Sequence, residues 1–161
     1  MARVALVTGG TRGIGRAVSI ALKEAGYKTA ANYAGNDDAA KAFTEETGIP
    51  TFKWDVGSYD DCVAGIAKVE AEVGPIDVLV NNAGITRDAT LHKMTPDQWR
   101  DVIRVDLDSM FNMCQPLING MRDRGFGRII KQIGGCRLAK SAWQILLHVF
   151  QEVGDRIGIV S

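Results

Sequence analysis

The sequence predicts an α/β fold built on a doubly wound parallel sheet, and three observations carry that prediction. Short apolar runs alternate with amphipathic stretches of helical length, the pattern of strands joined by helical crossovers. The first run, Val4–Val7, passes directly into a glycine-rich turn that opens a helix. No internal repeat or low-complexity tract interrupts the alternation.

The elements follow in order. Val4-Ala5-Leu6-Val7 is apolar throughout, as expected of a strand buried on both faces. Residues 16–25 read as a helix ended by Gly26, and residues 28–32 as a second strand. Residues 37–47 read as a helix closed by Gly48, and residues 50–54 as a third strand. Ser58 is placed to cap a helix that runs to Val73 and stops at Gly74-Pro75. Residues 76–80 form the fourth strand. Thr95-Pro96-Asp97 is a helix start with proline in the first turn, and the helix runs to about Arg124 with an interruption expected near Pro116. Residues 127–132 read as a fifth strand, 139–153 as a helix and 157–160 as a sixth strand. Right-handed crossovers then give one parallel sheet covered on both faces.

Length and composition bound the function. The 161 residues fit one domain, 1–161, with one sizeable core. Nineteen basic residues balance nineteen acidic ones, which removes the electrostatic case for nucleic acid or a membrane surface as partner. Eighteen glycines exceed the ordinary share of about 7%, without a matching excess of proline, and point to tight turns and close backbone contacts. Cys62, Cys114 and Cys136 are odd in number and widely spaced, so neither a disulfide framework nor a metal site is expected. The apolar run after Arg3 is too short for a signal peptide, and no run approaches a membrane span. The expected setting is cytoplasmic.

The first strand–helix turn, Thr8-Gly9-Gly10-Thr11-Arg12-Gly13-Ile14-Gly15, is the most informative motif. Gly9 allows a sharp turn, Gly13 lets the backbone approach a pyrophosphate, and Gly15 lets the helix pack closely on the strand. The helix N-terminus then offers free N–H groups to the anion. A bare tight turn is the alternative, and the spacing is neither GxGxxG nor a P-loop. The end of the second strand, Asn32-Tyr33-Ala34-Gly35-Asn36, carries no carboxylate before Asp37. NAD sites usually place an acid there for the ribose hydroxyl. Arg12 lies inside the phosphate turn, where its guanidinium can pair with a 2′-phosphate, so NADP is the expected cofactor. An exposed, solubilising arginine is the alternative.

These residues resemble the short-chain dehydrogenase/reductase family, whose TGxxxGxG motif matches residues 8–15. Asn81-Asn82-Ala83-Gly84 matches a second family signature at the end of the fourth strand, and Asp55-Val56 resembles the adenine-contacting pair. The stretch from Asn81 to Asp88, with His92-Lys93-Met94-Thr95-Pro96, Trp99 and residues 120–129, is most similar to bacterial acetoacetyl-CoA reductases. The resemblance implies a Rossmann-like sheet and NADPH-dependent reduction of a short 3-oxoacyl thioester, as in polyhydroxybutyrate synthesis. It implies a cofactor site of Gly9, Arg12, Gly13, Ile14, Gly15, Asn36, Asp55, Val56, Asn82, Ala83, Gly84, Ile85 and Thr86. Asp88 falls near the acyl-thioester entrance, the acyl-CoA substrate being the implied partner, and the assembly implied is a homo-oligomer, a tetramer in the family.

The resemblance holds to about residue 130. Beyond it the family expects a serine, then Tyr-x-x-x-Lys, in which the tyrosine donates a proton and the lysine tunes it. Here the sequence reads Lys131-Gln132-Ile133-Gly134-Gly135, and tyrosines occur only at 27, 33 and 59. Aligning Cys136-Arg137-Leu138-Ala139-Lys140 with that motif puts Lys140 in the place of the family lysine and Cys136 in the place of the tyrosine. An ordinary solvated Lys140 is the alternative. Asp106 stands where the family's helix asparagine would be. The family is also longer, so the expectation is a truncated chain whose sheet is incomplete at its C-terminal edge. His92 and His148 lack metal-ligand spacing, and Ser141 with His148 lacks an orienting acid. Arg122, Arg124, Arg128 and Lys131 read as a basic cluster favoured by a helix C-terminus. Two function classes stay open: a thioester reductase, and a dinucleotide-binding remnant with little chemistry.

Overall fold

The computed structural model describes residues 2–132 and the strand at 157–160. The strands are β1 (Val4–Val7), β2 (Lys28–Tyr33), β3 (Thr51–Lys53), β4 (Ile76–Asn81), β5 (Gly127–Lys131) and β6 (Ile157–Val160). They pair in parallel in the order β3-β2-β1-β4-β5-β6. The chain therefore starts mid-sheet, winds outward to β3, then returns to the other side of β1 as β4. That reversal opens a crevice beyond the C-terminal ends of β1 and β4, the place where sheets of this order bind ligands.

Alternating side chains on the buried strands supply two apolar faces. Val4, Leu6, Leu79 and Ile129 face one way and pack with Cys62, Ile66, Val69, Met110, Met113, Leu117 and Met121. These come from α3 (Tyr59–Glu72) and α5 (Ser109–Asp123). Ala5, Val7, Val78 and Val80 face the other way, against Val18 and Leu22 of α1 (Gly13–Glu24). Each buried aliphatic side chain contributes about 1.5–3 kcal/mol. Burial also pushes the thiols of Cys62 and Cys114 up to about 12, so both stay protonated at neutral pH.

The helix starts carry the caps their sequences promise. Asn36 accepts from the Ala39 amide at 2.9 Å to open α2 (Asp37–Thr47), and Ser58 accepts from Asp61 to open α3. Thr95 and Gln98 form a reciprocal capping box at α4 (Pro96–Ile103). Helix α1 begins at Gly13, earlier than residue 16, because Arg12 holds the extended N-cap conformation and the glycines of the turn already belong to the helix.

One expectation needs correction. The interruption expected near Pro116 is absent; Pro116 sits inside α5, and the irregularity lies upstream in a π-helical turn at Arg104–Asp108. Proline removes one helical hydrogen bond and crowds the carbonyl four residues back, and the burial of Met113, Leu117 and Met121 on the sheet outweighs that cost. The π turn instead follows the cleft wall, where Arg104 and Asp106 meet the loops after β3 and β4. The basic residues near α5 also divide. Arg124 reaches Asp77 and donates to the Ile76 carbonyl, whereas Lys131 turns inward, and no single basic patch results. The predicted helix at 139–153 lies outside the described residues. Among the described residues no helix is long and apolar enough to cross a membrane.

Lys131 at the end of β5 is only 6% exposed, and burial holds its pKa below the ordinary lysine value despite the opposing attraction of Asp106. The folded state thus disfavours the charged form. That cost is complete below the folded pKa and vanishes as pH rises to the unfolded value near 10.4. Lys131→Met is expected to be more stable than the parent at pH 7. The gap between their urea midpoints should close as pH approaches about 10.4; a gap that is constant with pH, or reversed in sign, contradicts the assignment.

Candidate cofactor site

The turn after β1 builds the floor of the crevice. Gly15 has no room for a side chain, since a Cβ there would lie 2.2 Å from the Gly9 carbonyl oxygen. Gly13 is different in kind: φ is +54° and a Cβ would meet nothing within 4 Å. Its backbone borders open space at the helix N-terminus, where the free amides of a first turn are suited to an anion. Ser19, buried on α1, donates to the Gly15 carbonyl at 2.9 Å and contacts the Gly10 carbonyl at 3.1 Å.

Thr8 ties this turn to β4. Its hydroxyl accepts from the backbone amides of Asn82 and Ala83, both at 3.0 Å, and donates to the Val80 carbonyl. The Asn82 side chain answers by donating to the Thr8 carbonyl at 2.9 Å and to the Gly9 carbonyl at 3.3 Å. Asn32 braces the other side, accepting from the Gly9 amide and donating to the Trp54 carbonyl. Thus the ends of β1, β2, β3 and β4 are fixed to one another by side chains.

Around this floor lies a cleft of about 760 Å³, within the range of small-molecule sites. Gly9, Arg12, Gly13, Ile14, Gly15, Asn36, Asp55, Val56, Asn82, Ala83, Gly84 and Ile85 all line it. The structure therefore brings together residues from four separate segments of the sequence. Thr86 and Asp88 do not line it; both are exposed on the loop that leaves β4. Lys140 and Cys136 lie outside the described residues. Among the described residues no group of three or more His, Cys, Asp or Glu side chains is placed to hold a metal.

Charges divide the rim. At the end of β2 the nearest acid, Asp37, is already engaged: Tyr33 donates to one carboxylate oxygen at 3.0 Å and Lys53 to the other at 2.8 Å. Lys53 holds the Asp37 carboxyl below its ordinary range, while burial and Asp37 together raise Tyr33. Arg12 is exposed and lines the same cleft.

Several contributors were not identified from sequence. Arg104 pairs with Asp55 at 2.5 Å, Arg87 faces Asp101 at 3.7 Å, and all four line the cleft. Asp106 accepts from the Ile85 amide at 2.8 Å and fixes the loop after β4. Asn112 of α5 donates to the Val56 carbonyl at 3.0 Å. Thr8, Asp55, Arg87 and Asp106 stood at positions matched to the family; Asp101, Arg104 and Asn112 carry no local signal, since their partners are distant in sequence.

Comparison with known proteins agrees with this geometry. The family model for short chain dehydrogenase matches residues 3–135. Acetoacetyl-CoA reductase of Rhizobium meliloti is 69% identical over 130 residues, covering 81% of this chain and 54% of that protein. Acetoacetyl-CoA reductase of Shinella zoogloeoides is 72% identical with the same coverage. A 3-oxoacyl-acyl-carrier-protein reductase of Staphylococcus aureus is 43% identical over 135 residues, 81% of this chain and 55% of that protein. The chain spans about half the length of these relatives. With its glycine turn, its Asn81–Gly84 junction and its sheet order in agreement, the chain belongs to the short-chain dehydrogenase family.

Proposed function

We propose that the chain carries the NADPH site of a reductase acting on acetoacetyl-CoA or a related short 3-oxoacyl thioester. The observation that carries the reading is the cleft itself, with open space at the Gly13 turn and a ribose corner that has Arg12 exposed and its nearest acid, Asp37, already engaged. The names of the relatives supply the substrate class. A bound NADPH would supply the hydride. Gly13 and the α1 N-terminus would hold its pyrophosphate, Arg12 and Asn36 its 2′-phosphate corner, and Asp55 with Val56 its base. Asn82, Ala83, Gly84 and Ile85 would guide the nicotinamide half along the ends of β1 and β4, with Thr86 meeting it from the loop just outside the cleft. Asp88 belongs to the thioester entrance in this reading. The apolar patch of Tyr59, Val63 and Phe111 on α3 and α5 suits a homo-oligomer.

A second reading, a dinucleotide binder with little chemistry, is favoured by the proton-donating groups. Tyr33 is tied to Asp37 and is a weaker acid than an ordinary phenol, and Tyr59 donates to Gln115. Tyr27 packs beneath α1 with Ala5 and Val7. None is available to a ketone at the β4 end. Asp106, an acceptor when ionised, replaces an amide that can both donate and accept. Lys140 remains the candidate catalytic lysine on resemblance alone.

Three outcomes are expected. The chain binds NADPH roughly 10- to 100-fold more tightly than NADH, the difference a charge-assisted hydrogen bond confers. Arg12→Ala removes most of that preference, as read by cofactor fluorescence; equal affinities in the parent chain contradict the NADP assignment. Asp88→Ala weakens acetoacetyl-CoA binding in calorimetry and leaves NADPH affinity unchanged; a weaker NADPH instead moves Asp88 to the cofactor side. Steady-state oxidation of NADPH with acetoacetyl-CoA runs at least about 10²-fold below a typical 10 s⁻¹, because a positioned general acid is missing. Turnover near 10 s⁻¹ eliminates the second reading.

A further inference from the structure

We propose that Arg104 is a positioning residue of the cleft: it pins the Asp55 carboxylate at the base-binding end, so that the site selects a 6-amino purine over a 6-oxo purine. The inference deepens the dinucleotide reading and rests on it.

The sheet order fixes which end of the cleft takes the base. Phosphates lie over the turn after β1 and the ribose at the end of β2. The base then falls at the end of β3, where Trp54, Asp55 and Val56 line the cleft. Asp55 is the acceptor there, 43% exposed, and both of its carboxylate oxygens are engaged. Oδ1 accepts from the Gly57 amide at 2.8 Å, a local turn that Asp55 can make by itself. Oδ2 accepts from Arg104 at 2.5 Å, and that partner comes from the π turn, 49 residues away.

The guanidinium is built into this corner. A Cβ on Gly57 would lie 2.1 Å from Arg104 Nη1, so only glycine at 57 leaves the arginine room to lie across the turn. The same turn is held from within by the Ser58 amide on the Asp55 carbonyl at 3.1 Å and by Asn112 on the Val56 carbonyl. With the backbone fixed on the inside, the Gly57 amide on Oδ1 is one local restraint on the carboxylate, and Arg104 adds the second that fixes its direction.

Each carboxylate oxygen keeps acceptor capacity after one hydrogen bond. A pinned carboxylate accepts from an exocyclic amine but meets the lone pairs of a 6-oxo group with repulsion. An unpinned one can swing toward solvent and avoid the clash, so discrimination depends on the pin. Ion pairs with this exposure contribute little to stability, and a purely structural role would leave base selectivity unmoved.

The test measures dissociation constants of the full chain for NADPH, for its hypoxanthine analogue and for NADH. The parent chain is expected to prefer NADPH over the hypoxanthine analogue by roughly 10-fold. Arg104→Met lowers that ratio to about 2-fold while the NADPH-to-NADH ratio stays fixed. Arg104→Gln, neutral and polar, does the same and serves if the methionine variant does not fold. Asp55→Asn also collapses the ratio, and adding Arg104→Met to it causes no further fall, as coupled residues require. An unchanged hypoxanthine ratio in the Arg104 variants, or an equal fall in both ratios, overturns the inference alone. A parent chain that binds no dinucleotide overturns the cofactor reading, and this inference with it.

Discussion

The stitch between Thr8 and Asn82 is the constraint on which the cleft depends. Strands β1 and β4 are neighbours in the sheet but their ends are 74 residues apart along the chain. Past the last ladder bonds, both strands leave polar backbone groups that must be satisfied inside the protein. Thr8 and Asn82 satisfy them mutually, four hydrogen bonds crossing between two turns. The glycine turn is thereby held at a fixed position against Ala83 and Gly84. Without that tie the two turns would be separate loops on one sheet edge, and the Gly13 turn would have no opposing wall.

The far wall is organised by the segment from α4 into the π turn. Asp101, Arg104 and Asp106 reach two loops: Asp101 meets Arg87 and Asp106 accepts from the Ile85 amide on the loop after β4, while Arg104 meets Asp55 after β3. A π turn closes i to i+5 and widens the helix locally, which changes the face presented by the residues that follow. Here it lets α4 address the cleft while α5 continues along the sheet with Met110, Met113 and Leu117 buried. The wall is held by charge, the floor by backbone hydrogen bonds, and the two differ in consequence. Salt weakens half-exposed ion pairs and leaves the buried stitch intact.

Lys131 shows the same sheet end under a different pressure. The pleat assigns it to the face of Ile129, toward α5, because alternate residues share a face. A lysine there is desolvated beside Cys114 and Asp106. Its inward direction follows from strand register alone, and it explains why a run of basic residues in sequence does not become a basic surface.

Much of this was legible without coordinates. The apolar run at 4–7, the glycine turn and the caps at Asn36, Ser58 and Thr95 are local signals, each governed by residues within one turn or one strand. They set the α/β class, the element order and the glycine turn of the cleft, whereas Asp55, Val56 and residues 82–85 followed from the family resemblance. The break expected at Pro116 was misplaced because proline propensity is local, whereas packing of α5 against β4, β5 and α3 is not. Arg104, Asp101 and Asn112 were invisible for the same reason. Their function lies in partners 14 to 56 residues distant, brought near only when the chain winds back beside β1. Sequence by itself determined which backbone could cradle an anion, since glycine spacing and strand periodicity are written residue by residue. Tertiary structure alone decided which charges meet across the cleft, because an ion pair between distant segments exists only once the sheet has fixed their distance.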